Sequence, residues 1–266
     1  METYRRTITR ENIEDSLING DLNPLHRDEG AVKEFLKIIK MENLGEGIIA
    51  PGALTLAIAE FLPPIKGYCP IGIKDINFIS PLVVKSRSDI DYNIEKRVND
   101  PPFVSYSVNM GENGREILNG EIILVAKDIY DFLTQEKIEE KVKLKPINLE
   151  KINMADSFEI SSKIIEPYCK SIGIDKEEYY QKYGDKISGM LAGFFVPARL
   201  LNTVCNDGLF VYRKQSFELV QSYSGNSVEL KGFKKVLKNI IYDIGLKIEG
   251  LGRTILESKT TAIKIA

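Results

Sequence analysis

The stretch Ile48–Leu62, IIAPGALTLAIAEFL, sets the strongest limit on how this chain can fold. Pro51 suits the first position of a helix, where a missing N–H costs nothing. After it Ala53, Leu54, Leu56, Ala57, Ile58 and Ala59 leave no polar face, and Thr55 is the main polar interruption. A helix that is apolar nearly all round has to be buried all round. Beyond it the period drops to two. Ile90, Tyr92 and Ile94 alternate with polar residues, as do Val104, Tyr106 and Val108. Strands are expected near 72–80, 86–96, 102–111 and 115–126, forming an antiparallel sheet. A sheet that curls about the helix buries both.

Ahead of the apolar helix, Glu11–Asn19 has helical content and stops at Gly20, a plausible residue just past a helix end. A loop, Asp21–His26, follows. Asp28–Lys40 then reads as an amphipathic helix with Val32, Phe35, Leu36 and Ile39 on one face. The second half repeats this plan. VPARLLNTVCN from Val196 lines up with APGALTLAIAE from Ala50, and SFELV (216–220) lines up with NFISP (77–81). Strand-like segments follow near 226–233, 236–248 and 253–265. Between the halves the highly charged stretch 128–155 reads as a connector. The expected organisation is an α+β protein of two tandem units, 1–127 and 156–266, paired as a C2 homodimer would be.

With 36 basic and 38 acidic residues the net charge is −2, which argues against nucleic acid as the main partner. The charged N-terminal segment does not read as a secretory signal, and no apolar run is long enough to span a bilayer. A cytoplasmic protein that does not engage a membrane is expected. Cys69, Cys169 and Cys205 are scattered and read as reduced, buried thiols; their spacing suits no metal site.

The most informative segment is Gly20-Asp21-Leu22-Asn23-Pro24-Leu25-His26, GDLNPLH. It resembles the GDxNPxH signature of MaoC-like proteins and of the (R)-specific enoyl-CoA hydratases, also called hydratase 2, and the APGALTL segment fits the same family. One departure is that Ala31 follows the motif histidine after four positions, where the family pattern has a small residue after five. The resemblance implies a hot-dog fold, here a double hot dog, in which a curved antiparallel sheet wraps a central helix. It implies a hydro-lyase acting on a 2-enoyl or (R)-3-hydroxyacyl thioester of CoA or an acyl-carrier protein, with no metal or redox cofactor. It assigns the catalytic dyad to Asp21 and His26, the only histidine in the chain. The chemistry suits these types. Hydration needs a base for water, an acid for the α-carbon and donors for the thioester oxygen.

Two further residues are expected to bind substrate. Asn23 can orient the carboxylate or the water. Gly52, just inside the N-terminus of the apolar helix, can offer its N–H to the thioester oxygen and permit close approach; packing against the sheet is its other reading. The second unit carries no GDxNPxH. Its comparable region reads SIGIDKEEYY, and Ala198 and Arg199 stand at the place of Gly52. One active site per chain is expected, the second unit completing the acyl tunnel. Glu60 reads as a cap or surface residue, and Lys231, Lys234, Lys235 and Lys238 as a solvated basic face. A hot-dog thioesterase is the first alternative, although Ala53–Ala59 holds no acid. A non-catalytic thioester-binding subunit of a fatty-acid or polyketide assembly is the second. Either a monomer or a homodimer is compatible with an internal pairing of units.

Overall fold

Twelve strands and six α-helices make up the described part of the computed structural model, which covers residues 1–17, 20–130, 132, 141–142, 150–159, 162–188, 190–191, 193, 210–219, 227–238, 240–250 and 253–265. The chain starts with strand β1 (Glu2–Thr9) and helix α1 (Arg10–Ser16). The GDLNPLH loop and helix α2 (Glu29–Ile38) come next, then β2 (Ile48–Ile49) and the apolar helix α3 (Gly52–Ala59). Strands β3 (Tyr68–Phe78), β4 (Val83–Val84), β5 (Arg87–Asp100), β6 (Phe103–Glu112) and β7 (Arg115–Ala126) complete the first half, with a short α4 (Lys127–Tyr130). The second half holds β8 (Glu150–Glu159), α5 (Ile165–Ile172), α6 (Lys176–Tyr183), β9 (Phe210–Leu219), β10 (Ser227–Lys238), β11 (Ile241–Gly250) and β12 (Arg253–Lys264).

Ten of these strands form one antiparallel sheet in the order β1-β5-β6-β7-β3-β9-β12-β11-β10-β8. Counted inward from either edge, the order is the same: β1 matches β8, β5 matches β10, β6 matches β11, β7 matches β12 and β3 matches β9. The two halves join where β3 pairs with β9, through Gly72↔Glu218, Ile73↔Phe217, Ile76↔Gln215 and Asn77↔Lys214. This is the α+β double hot-dog arrangement expected from sequence. Helix α3 is buried from Leu54 to Ala59. Tyr92 of β5 donates its hydroxyl to the Thr55 carbonyl at 2.9 Å, so the sheet holds the helix by a buried hydrogen bond as well as by packing. Burial on this scale, with Leu54, Ala59, Leu62, Ile71, Ile73, Ile76, Ile90 and Tyr92 all at 0% exposure, is the main source of the unit's stability. The repeat-equivalent helix at Val196 lies outside the described residues, as do Ala198, Arg199 and Cys205.

Pro51 caps α3 from just outside, and the helix begins at Gly52. Strand β1 has no apolar signature, because as an edge strand it buries only Ile8; its outer face is tied to β5 by Thr3–Asn93, Arg5–Asp91 and Thr7–Asp89 contacts. Strand β8 starts at Glu150, inside the charged stretch expected to be a connector, and its residues Glu150, Lys151 and Ile152 pair with β10. It too is an edge strand, where polar sequence is compatible with pairing. Strand β10 runs unbroken to Lys238, so the turn into β11 lies some residues later than the break expected near 234. Among the described residues no helix is long and apolar enough to cross a membrane.

Candidate active site

The GDLNPLH segment is a loop fixed at both ends. Gly20 has φ +84°, a left-handed conformation that a side chain disfavours, and it turns the chain out of α1. Pro24–His26 then forms a single 3-10 turn. Asn23 caps it, its side-chain oxygen accepting the Leu25 N–H at 3.1 Å. Leu25 is buried with Val32, Phe35 and Leu36 of α2 and with Ile49, which anchors the turn between α2 and β2. Asp28 caps α2 by accepting the Gly30 and Ala31 N–H groups. Helix α2 therefore starts directly after the motif, which accounts for the short spacing to Ala31.

This scaffold brings Asp21 and His26 together. Both are buried, at 5% and 7% exposure. The Asp21 carboxylate accepts the Asn23 backbone N–H at 2.9 Å through Oδ1, and its Oδ2 lies 3.6 Å from His26 Nε2. His26 Nδ1 is 2.6 Å from the Ile49 carbonyl oxygen. A carbonyl can only accept, so Nδ1 carries the hydrogen. In the neutral ring Nε2 is then the lone-pair nitrogen, and it faces Asp21. Arg27 donates to the Asp21 backbone carbonyl, bracing the loop from the solvent side.

His26 opens onto a cavity of about 700 Å3, lined mainly by apolar side chains. Asn23, Gly52 and Thr55 are also on its wall; Asp21 is not a lining residue and stands behind His26, 3.6 Å from its Nε2. The Gly52 N–H belongs to the first turn of α3, whose amides have no intrahelical acceptor. Gly52 is also sterically required. A Cβ there would lie 2.2 Å from Cε1 of Phe78. Both readings of this glycine thus have a physical basis. The Asn23 side-chain oxygen caps the turn, and its backbone N–H holds the Asp21 carboxylate.

The far wall comes from the second half, through Val211, Tyr212, Arg213, Ile240, Ile263 and Lys264. Phe78 and Tyr212 meet across the join with ring centres 6.1 Å apart. Sequence reasoning missed Asn77, Tyr212, Arg213 and Lys264 as cavity residues. Their meeting at the cavity depends on how the two halves pair through β3 and β9, which leaves no local signal. In the second half the region comparable to the motif loop is built differently. Gly173 ends α5 in a left-handed conformation, and Asp175 caps α6 by accepting the Glu177 N–H at 2.9 Å.

Glu60 is neither a surface residue nor part of this site. It follows α3 and is fully buried. Tyr168 donates to its carboxylate at 3.0 Å, Tyr183 donates to the other oxygen, and Lys182 donates to its backbone carbonyl at 3.0 Å with Nζ 3.9 Å from the carboxylate. Burial pushes the Glu60 carboxyl up and the Lys182 ammonium down.

No protein-family model matches the sequence, and no curated protein matches it. Solved structures do. A MaoC-like dehydratase superposes with TM-score 0.64 at 14% identity, over 99% of this chain and 98% of its own. A Mycobacterium tuberculosis protein described as having a double hot-dog fold gives 0.62 at 9% identity, over 99% and 96%. This chain has the double hot-dog fold. A Novosphingobium aromaticivorans protein described as a candidate thioesterase superposes with TM-score 0.51 at 11% identity, over 83% of this chain and 89% of its own. Fold alone does not fix the chemistry of a site.

Proposed function

We propose that this double hot-dog protein is a hydratase/dehydratase that adds or removes water at a 2-enoyl thioester, with Asp21 and His26 as its catalytic pair. One observation carries the reading. The Ile49 carbonyl fixes the tautomer of His26, which lines the apolar cavity, and leaves its Nε2 lone pair 3.6 Å from the buried Asp21 carboxylate. Two acceptors at that separation can both hold one water at about 2.8 Å each. Nε2 removes a proton from that water as its oxygen bonds to the β-carbon. The π electrons move onto the thioester oxygen, and the Asp21 carboxylate stabilises the imidazolium. Nε2 then returns the proton to the α-carbon, so water is added with no net change in the protein. In this reading the Gly52 N–H at the start of α3 stabilises the thioester oxygen. The apolar wall suits an acyl chain, and the family resemblance gives the product as the (R)-3-hydroxyacyl thioester.

The thioesterase reading uses the same pair to aim water at the carbonyl carbon. It is disfavoured because the described residues of α3 carry no acid facing the cavity, Glu60 being engaged elsewhere. One assay separates the two. With crotonyl-CoA, a hydratase removes enoyl-thioester absorbance without releasing thiol, and a thioesterase releases thiol. If neither occurs with crotonyl-CoA, longer enoyl-CoA or enoyl-carrier substrates, the chain is a non-catalytic subunit.

A further inference from the structure

Ten large apolar side chains stand exposed among the described residues, and three of them, Ile38 (56%), Ile79 (46%) and Ile240 (53%), also line the cavity that holds His26. A residue that does both lies where the cavity wall reaches solvent. Ile38 is on α2, Ile79 follows β3, and Ile240 lies in the turn between β10 and β11, so both halves contribute. Two contacts put Ile240 on the α2 side. The Lys264 N–H donates to the Ile240 carbonyl at 2.8 Å, and Ile265, the next residue, packs on the cluster of Leu25, Phe35 and Leu36 under α2. Close by, at the end of β10, are Val236 (53% exposed) and Leu237 (46%). Strand pairing steps from Val236↔Tyr242 to Lys238↔Ile241, which leaves Leu237 as the extra residue of a bulge. A single exposed aliphatic side chain is ordinary. Here half of the ten lie on or beside the rim of one cavity, and such a cluster marks an interaction site.

The charge around these residues is positive. From Leu230 to Tyr242 the sequence holds four lysines and no carboxylate. Lys231 pairs with Glu249, Lys234 lies over the Tyr242 ring with Nζ 5.3 Å from its centre, and Lys235 is exposed beside Val236. On α2, Lys37 and Lys40 are exposed on either side of Ile38, Lys37 pairing with Glu34. On a chain of net charge −2 this is a local excess. Aliphatic side chains interleaved with lysines suit the headgroup layer of a bilayer. The aliphatic groups enter the acyl boundary, and the ammonium groups stay with the headgroup phosphates. A second copy of this chain fits less well, because a symmetric contact would set lysines against lysines.

We propose that the tip of the β10–β11 hairpin, together with Ile38 and Ile79, docks this protein on an anionic lipid surface, with the rim of the cavity facing the bilayer. The expectation of no membrane contact rested on spanning segments, and contact of this kind needs none. The proposal goes beyond the thioester reading and does not depend on it.

The test is cosedimentation of the full chain with vesicles. One set is phosphatidylcholine alone, and the other carries about 30% phosphatidylglycerol to make the surface anionic. Wild type is expected to bind the anionic vesicles, to bind the neutral ones at least about tenfold more weakly, and to be released by salt. Val236→Ser with Leu237→Ser is expected to weaken binding at least about tenfold through lost aliphatic burial. Lys234→Gln with Lys235→Gln is expected to weaken it about tenfold or more, since each lysine near such a surface contributes about fivefold. Val98→Ser, at an exposed position that does not line the cavity, should bind as wild type does. Failure of wild type to bind anionic vesicles would overturn the proposal, as would wild-type affinity in both paired variants or an equal loss in Val98→Ser. A wild type that binds no vesicles and forms a dimer, dissociated by Val236→Ser with Leu237→Ser, would assign the patch to a second copy instead. The vesicles carry no enoyl thioester. A chain that binds them and hydrates no such substrate therefore keeps this surface and loses the catalytic reading.

Discussion

His26 gives its Nδ1 hydrogen to the Ile49 carbonyl and turns Nε2 toward Asp21, 3.6 Å away, and on the proposed mechanism the two residues act through one shared water. Asp21→Asn and His26→Ala should each lower turnover of crotonyl-CoA by ~10²–10⁴-fold. The double variant should be little worse than the more damaged single variant, because the pair works as a unit. Initial rates of absorbance loss check this, and unchanged denaturation midpoints would show that the loop still folds. Independent, multiplying losses would mean that the two residues do not share a water.

Much of this arrangement is legible in the residue pattern alone. The all-round apolar character of Leu54–Ala59 forces an enclosed helix, and the two-residue period of β5 to β7 supplies the sheet to enclose it. The GDLNPLH motif singles out Asp21 and His26. What escapes the pattern is set by non-local contacts. Strand β1 buries one residue and is held by its partner β5, so its own sequence carries little signal. Glu60 sits past the end of α3, a position normally exposed, and is buried only because α5 and α6 from the other half bring Tyr168, Lys182 and Tyr183 over it. The Ile49 carbonyl, which decides the histidine tautomer, is a backbone atom that no residue pattern can reveal.

Gly52 offers a way to separate packing from catalysis. A Cβ at this position would lie 2.2 Å from the Phe78 ring, so Gly52→Ala should destabilise by ~1–3 kcal/mol through overpacking, measured by chemical denaturation. Trimming the ring with Phe78→Leu should restore most of that stability in the double variant. If activity returns with stability, the glycine is needed for its size at that contact. Activity that stays low in a restored fold would place the constraint on the thioester approaching the Gly52 N–H.

The buried cluster around Glu60 should matter for stability and not for chemistry. Glu60→Ala strands the Lys182 ammonium and two phenol hydroxyls in the interior and should cost ~3–5 kcal/mol. Glu60→Gln keeps acceptors for Tyr168 and Tyr183 and should cost less. The sign of the pH effect follows from burial, which raises the Glu60 carboxyl above its ordinary 4.5. As pH rises from 4.5 the unfolded chain loses this proton first, so this residue's contribution to stability falls until its folded value is passed. Over that window the stability of wild type relative to Glu60→Gln should decline with increasing pH. A difference that rises instead would mean that the carboxylate is better stabilised folded than unfolded.

Cys69 and Cys169 provide a test of the core at residue level. Both thiols are buried, and desolvation pushes each up to about 12. The thiolate is the nucleophile, and at pH 8 a thiol with that value is ionised in only about one molecule in 10⁴. Treatment of the native protein with iodoacetamide at pH 8, followed by peptide mass mapping, should therefore leave both residues unmodified, and unfolding in denaturant should expose both to complete reaction. Cys69 lies on β3 beside the Glu60 cluster, and Cys169 lies on α5 from the other half. Rapid labelling of Cys169 with Cys69 still protected would show that α5 opens while β3 and its neighbours stay closed. Simultaneous labelling, at the rate of global unfolding, would show that the two halves share one cooperative core.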